Sequence, residues 1–404
     1  MNNLRQRVTQ LYQDTFHEMP KFILRAPGRV NLLGEHVDYN DGFVLPAAID
    51  RAVWVACSPA STPHSTLEAA DLSESLSFSS ETIPTKTDLD GRPLPQWAKY
   101  PVGCAWALNE AGYETPAIHA IYTSDVPVGS GLSSSAAVEM AFIYAFSALP
   151  KERRDDVSGA SHQMSAVEAQ LLDPMTRAKL GQRAENLYVG VNCGIMDQFA
   201  SACGKRDHAL FLDCRSLEWQ PVPLPAGVSI VVADTAVPRS LSTSAYNERR
   251  LACEEAARLL GAKSLRDVSV AEFHRSKSKL PELVARRAQH VVEEIQRTEQ
   301  AVFLLKQGNT QAFGRLMNEC HDSLRDLYEV SCPELNVMVN LARELDGCYG
   351  ARLTGAGFGG CTVNLVAQSA AETFARELAR RYERATNKEP RVYICHADDG
   401  AGVV

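Results

Sequence analysis

Arg29, Glu35, His36 and Asp38 crowd a guanidinium, two carboxylates and an imidazole into ten residues of the stretch GRVNLLGEHVDYNDG, with Tyr39, Asn40 and Asp41 behind them. Apolar runs flank it, the second being GFVLPAAI. A solvated loop needs no such run of mixed charge beside a buried segment. Planar polar side chains that each hold a pair of hydroxyls are, by contrast, how a sugar is gripped. A further carboxylate, Asp197 in NCGIMDQFAS, sits between Ile195-Met196 and Phe199. An unpaired carboxylate is costly in apolar company, so it acquires a cationic partner or an abnormal pKa and a task. Arg29 is a candidate partner; the plainer alternative is that Asp197 anchors a helix.

VPVGSGLSSSAAVEM leads from a strand through Gly129, Ser130, Gly131, Leu132, Ser133, Ser134 and Ser135 into an Ala-rich helix. Free amides at such a helix start, together with the macrodipole, favour an anion such as phosphate. The serine hydroxyls add hydrogen bonds or a magnesium ligand. The Gly-Lys-Ser/Thr of a P-loop is missing and the glycine spacing is not that of a dinucleotide fingerprint. An ordinary serine-capped helix start is the alternative. Glu185, twelve residues before Asp197, is a candidate oxygen ligand for Mg2+. Gly355, Gly357, Gly359 and Gly360 precede a strand and let the backbone pass close to a ligand, or simply form a tight hairpin turn.

Composition narrows the function classes. The 404 residues exceed one ordinary core, which predicts two domains. Hydrophobic content of 45% and charged content of 22% are those of a globular protein. A net charge of −8 argues against a nucleic-acid or acidic-membrane partner, though not against a local phosphate site. Eleven cysteines without zinc spacing predict free thiols in a reducing, cytoplasmic setting. The polar N-terminus carries no secretory pattern, and no run is long enough to span a membrane. HRSKSKLPELVARR reads as a solvated helix face.

The elements that must position these residues follow in order. An N-terminal helix precedes KFILRAPGRVNLLGEH, a strand broken at Pro27-Gly28, and GFVLPAAIDRAVWVACSPA, further strand. QWAKYPVGCAWALNEAG predicts a helix closed by Gly112. SAVEAQLLDPMTRAKLGQRAENLYVG is helical around Pro174, and VSIVVADTA is a buried strand. Ser244 to Lys306 reads as helical with one interruption near Leu280-Pro281. GARLTGAGFGGCTVNLVAQ predicts strand-turn-strand, followed by a helix over 370–385 and a last strand, RVYICHA. The division falls in the turn-rich region Gly204 to Gly227, giving domains 1–205 and 206–404.

The motifs in this order resemble the GHMP family of small-molecule kinases, and GRVNLLGEHVDYNDGFVLP is similar to the signature of its galactokinase branch. NCGIMDQFAS, LFLDCRSLEW, SAYNERRLACEEA, HVVEEIQRT, FGRLMNECHDSLRDLYEVSCPELN and YGARLTGAGFGGCTVNL carry the likeness from about Phe22 to the C-terminus. Val37 and Leu33 stand where many relatives have threonine and isoleucine. The resemblance implies an α/β (α+β) fold in two domains, with mixed sheets flanked by helices and the active site in the interdomain cleft. It implies Asp197 facing the anomeric hydroxyl with Arg29 as its cation, and Glu35, His36, Asp38, Gly194 and Tyr246 around the sugar. Gly129 to Ser135 would hold the phosphates, with Ser135 and Glu185 at the magnesium positions. The implied reaction moves the γ-phosphoryl of ATP to the anomeric hydroxyl of α-D-galactose, the entry into galactose catabolism by the Leloir pathway. Two alternatives remain: a kinase for N-acetylgalactosamine or another sugar, and a galactose/ATP sensor without turnover.

Overall fold

The computed structural model describes residues 2–127, 129, 131–148, 172–238 and 242–404. After an N-terminal helix (Asn2–Phe16), a six-stranded sheet has the order β13-β1-β3-β6-β4-β5. Its strands are β1 (Phe22–Asn31), β3 (Pro46–Pro59), β4 (His64–Ala69), β5 (Glu74–Ser79), β6 (Ile118–Ser124) and β13 (Gly402–Val403). All its pairings are antiparallel except β4 with β6. A four-stranded antiparallel sheet, β10-β11-β9-β12, contains β9 (Val228–Asp234), β10 (Cys348–Thr354), β11 (Cys361–Ala367) and β12 (Arg391–Cys395). A small third sheet joins β2 (Phe43–Val44), β7 (His208–Asp213) and β8 (Trp219–Pro223).

β1 is one strand, not two. Pro27-Gly28 shifts its register against β3 between Pro27 and Arg29, and the strand continues. That bulge sets Gly28 so close to Leu132 that a Cβ would meet the Leu132 carbonyl oxygen at 2.6 Å. Val126 is the next neighbour there, so the bulge seats Val126 and Leu132 beside β1. The helix Ser134–Ala148 is apolar nearly all round and buries most of its length against β1 and β3.

Two strand pairings cross the sequence division at 205/206. β2 pairs with β7, and the C-terminal β13 returns to cover the edge of β1. A two-residue strand leaves no periodicity to read, which is why RVYICHA looked like the last strand. The predicted helical region 244–306 is also more broken than its composition suggests. The helix Ser242–Leu260 stops at Gly261, whose φ is +71°. Ser269 then caps a short helix, Val270–Ser276, before the long Glu282–Lys306 helix. The helical reading of residues 165–171 lies outside the described residues, whereas Pro174 opens the helix Pro174–Arg183 at its first position.

Candidate active site

One cleft, with roughly 760 Å³ of open volume, collects residues from both main sheets. Asp197 lies in the first turn of the Met196–Cys203 helix. Arg29 reaches its Oδ1 from the bulged end of β1, with Nε at 2.8 Å and Nη2 at 2.6 Å. Nη1 donates to the Gly131 carbonyl at 2.6 Å, so one guanidinium ties the carboxylate to the glycine-serine loop. The Arg29 side chain is 5% exposed and that of Asp197 29%, so the cation is sunk and the carboxylate faces the cleft.

Among its described residues the loop departs from ordinary backbone at Gly129 (φ +74°), Gly131 (φ +87°) and Ser133 (φ +57°). Glycine adopts that conformation freely; serine does so at a cost, which marks a site under constraint. The constraint has a visible purpose, because Ser133 Oγ donates to Asp197 Oδ2 at 2.6 Å. Ser133 therefore serves the carboxylate, a role its place in a phosphate loop did not suggest. Gly129, Gly131, Ser134 and Ser135 line the cleft at the start of the Ser134–Ala148 helix. Leu132 is buried, and its carbonyl accepts from the Arg29 amide at 3.0 Å. Ser130 lies outside the described residues.

Glu185 stands in a widened π-type turn, Ala184–Val189, and lines the same cleft. Burial pushes its carboxyl up to about 7, against hydrogen bonds from Cys193, Gln198 and Ser135. Gln198 Nε2 donates both to Glu185 at 2.6 Å and to Glu139 at 2.8 Å. Glu139 is wholly buried with one oxygen unpartnered, and burial beside Glu185 pushes it well above the carboxylate range. Its signal in the sequence was a lone acid in the apolar run SSAAVEMAFIYAFSA.

The sugar-signature residues sit opposite. Asp38 borders Gly194 so tightly that a Cβ there would meet Asp38 Oδ2 at 1.8 Å, so any larger residue would displace the Asp38 carboxylate. Burial, then the charges of Asp197 and Glu35, push Asp38 up to about 7. Tyr246 comes from the Ser242–Leu260 helix, its ring 5.7 Å from that of His36. His36 itself has a φ of +62°. Its Nε2 donates to the Ala356 carbonyl at 3.2 Å, and its Nδ1 accepts from the Tyr39 hydroxyl at 2.9 Å. Burial pushes His36 down to about 4, which fits a neutral ring in that pairing. Glu35 is also engaged: its Oε2 takes the Arg352 guanidinium and the Gly355 amide, the latter at 3.0 Å. Of the glycine turn, Gly355 lines the cleft while Gly357 packs against the Val330 carbonyl. Arg352, a fully buried cation on β10, was legible as a lone charge in GARLTG.

Comparison with known proteins gives the family. Residues 10–59 match the galactokinase galactose-binding signature, 99–205 the N-terminal domain of GHMP kinases and 301–384 their C-terminal domain. A curated galactokinase from Roseiflexus sp. (strain RS-1) is 45% identical over 398 residues, covering 97% of this chain and 95% of that protein. The crystal structure of Lactococcus lactis galactokinase complexed with galactose superposes with a TM-score of 0.87 at 30% identity, covering 99% of each chain. Methanococcus jannaschii mevalonate kinase shares the fold with a TM-score of 0.61 at 19% identity, over 93% of this chain and 98% of that one. The chain belongs to the galactokinase family of the GHMP kinases.

Proposed function

We propose that the cleft transfers the γ-phosphoryl group of ATP to the anomeric hydroxyl of α-D-galactose, giving galactose 1-phosphate and ADP. Family membership supports the reaction, and the observation that carries the assignment of roles is the Arg29–Asp197–Ser133 cluster facing the cleft. Asp197 accepts the hydroxyl proton as the new O–P bond forms and the bond from the γ-phosphorus to the β-phosphate oxygen breaks. Ser133 and Arg29 hold both carboxylate oxygens, which fixes the angle at which Asp197 meets the sugar. Arg29 also offsets charge that develops on the transferring oxygens. Glu35, Asp38 and Tyr246 line the sugar side with Gly194, and His36 braces the loop. Gly129, Gly131 and Ser134 present the phosphate side without a lysine.

Ser135 and Glu185 would hold Mg2+, and their surroundings suit it. Both offer hard oxygen donors, and the groups hydrogen-bonded to Glu185 and Glu139 among the described residues are an amide, a thiol and a hydroxyl, none a cation. Among the described residues no cluster of three or more His, Cys, Asp or Glu forms a metal cage. Mg2+ is usually bound by one or two carboxylates plus substrate phosphates, and there it neutralises phosphate charge. We also place the protein in the cytoplasm, since all eleven cysteines are free thiols. No helix among the described residues is long and apolar enough to cross a membrane.

The test is ADP release with ATP and Mg2+ across galactose, N-acetylgalactosamine, glucose and arabinose. Turnover with galactose well ahead of the others supports the reading. Preferred turnover of N-acetylgalactosamine, or galactose binding without ADP release, would replace it with one of the two alternatives.

A further inference from the structure

Gly34 and Glu35 follow β1 in sequence, yet their hydrogen bonds run to the other half of the chain. Gly34 has a φ of +86°, and a Cβ on it would meet the Phe43 carbonyl oxygen at 2.3 Å. The backbone therefore turns inward there and buries Gly34 and Glu35. Both amides find the same acceptor: Gly34 N donates to Glu294 Oε1 at 2.8 Å and Glu35 N at 3.4 Å. One turn earlier on the Glu282–Lys306 helix, His290 Nε2 donates to the Glu35 carbonyl at 3.1 Å. Its Nδ1 accepts from Ser323 Oγ at 2.8 Å, which fixes the tautomer. An i,i+4 spacing puts both side chains on one helix face.

Glu294 has no exposed side-chain surface. Its charge is opposed by Arg297 on the same helix, and the Cys320 thiol donates to Oε1 at 3.0 Å. Burial pushes the carboxyl up, but Arg297, His290, Arg352 and the Cys320 hydrogen bond together outweigh it and hold the group below the ordinary carboxylate range. For stability alone such a buried pair is no better than apolar packing. What an apolar side chain cannot do is accept two inward-turned amides.

We infer that Glu294, with His290 beside it, is a positioning residue for sugar binding: it fixes the Gly34–Glu35 backbone so that Glu35, His36 and Asp38 stand in place for galactose. This rests on the reading that those side chains form the sugar side of the cleft. Glu294 touches no substrate. Its effect belongs in the galactose KM, not in the ATP KM.

The experiment measures both KM values and kcat for Glu294→Ala, with Val302→Ala and Asp38→Asn alongside. Val302 is a buried residue of the same helix, two turns on, and serves as a control for general loosening. Orphaning buried amides typically costs about 1–3 kcal/mol, so the galactose KM of Glu294→Ala should rise roughly 5- to 150-fold. Its ATP KM should stay within about twofold, and Val302→Ala should lower the Tm with both KM values unchanged. If Glu294→Ala does not fold, Glu294→Gln keeps one acceptor oxygen and should show the same split, smaller. A folded Glu294 variant whose galactose KM is unmoved, while Asp38→Asn raises it, overturns the positioning role alone. Parallel changes in both KM values and kcat, matched by Val302→Ala, also overturn it. An unmoved galactose KM in Asp38→Asn would instead remove the sugar-site reading beneath it.

Discussion

The sugar side and the phosphate side of the cleft solve opposite problems. On the sugar side Glu35 and His36 are already paired within the protein: Glu35 with Arg352 and Gly355, His36 with Tyr39 and Ala356. On the phosphate side Glu139 and Glu185 share one amide, and burial lifts both toward the neutral form. The first arrangement holds a shape before any ligand arrives. The second is short of positive charge, as suits a surface that is completed by a cation and a nucleotide. Asp197 stands between them, since Arg29 holds it from β1 and Ser133 from the loop while its exposed edge faces the cleft.

Breaking the paired side should cost the most. Arg352→Met leaves Glu35 buried without its cation, and stability should fall by about 3–5 kcal/mol in urea unfolding. A loss under about 1 kcal/mol would mean that Glu35 is not held by that pair. Ser133→Ala sharpens the comparison from the phosphate side. It removes a short hydrogen bond to a carboxylate, so kcat should drop roughly 10- to 100-fold with the Tm little changed. An unchanged kcat would show that Arg29 alone orients Asp197.

The smallest effect tests, through pH, a sugar-signature acid that burial lifts as it lifts Glu185. Asp38 is raised from 3.8 to about 7, so the folded protein binds this proton more tightly than the unfolded chain does. The stability it contributes is fully present below pH 4 and is lost as pH rises through 7. Asp38→Asn stays neutral throughout and keeps the shape. Without ligands, its stability relative to wild type should rise between pH 5 and pH 8, by about 1–3 kcal/mol. A flat difference across that range would place Asp38 in a more polar setting than described.

Much of this site was legible because isolated charges in apolar runs have few explanations. Asp197 in GIMDQFA needed a cation, and Arg29 supplied it. Glu35, His36 and Asp38 were dense enough to stand out. Arg352 and Glu139 carried the same signal more faintly, as single charges on a buried strand and a buried helix. His290 and Glu294 carried none. In HVVEEIQRT they look like the polar face of an amphipathic helix, and only tertiary packing turns that face inward. Ser133 is a different case. Its residue type was read, but its partner depends on a left-handed backbone that no composition reveals.

The central claim, that Asp197 serves the transfer and not the grip, is tested by measuring kcat and galactose affinity together for Asp197→Asn. The side chain keeps its shape, so the protein should fold and bind galactose within a few-fold of wild type. Turnover should fall by about 100- to 10,000-fold, the usual contribution of a positioned base. Near-normal turnover in the folded variant would contradict the assignment outright.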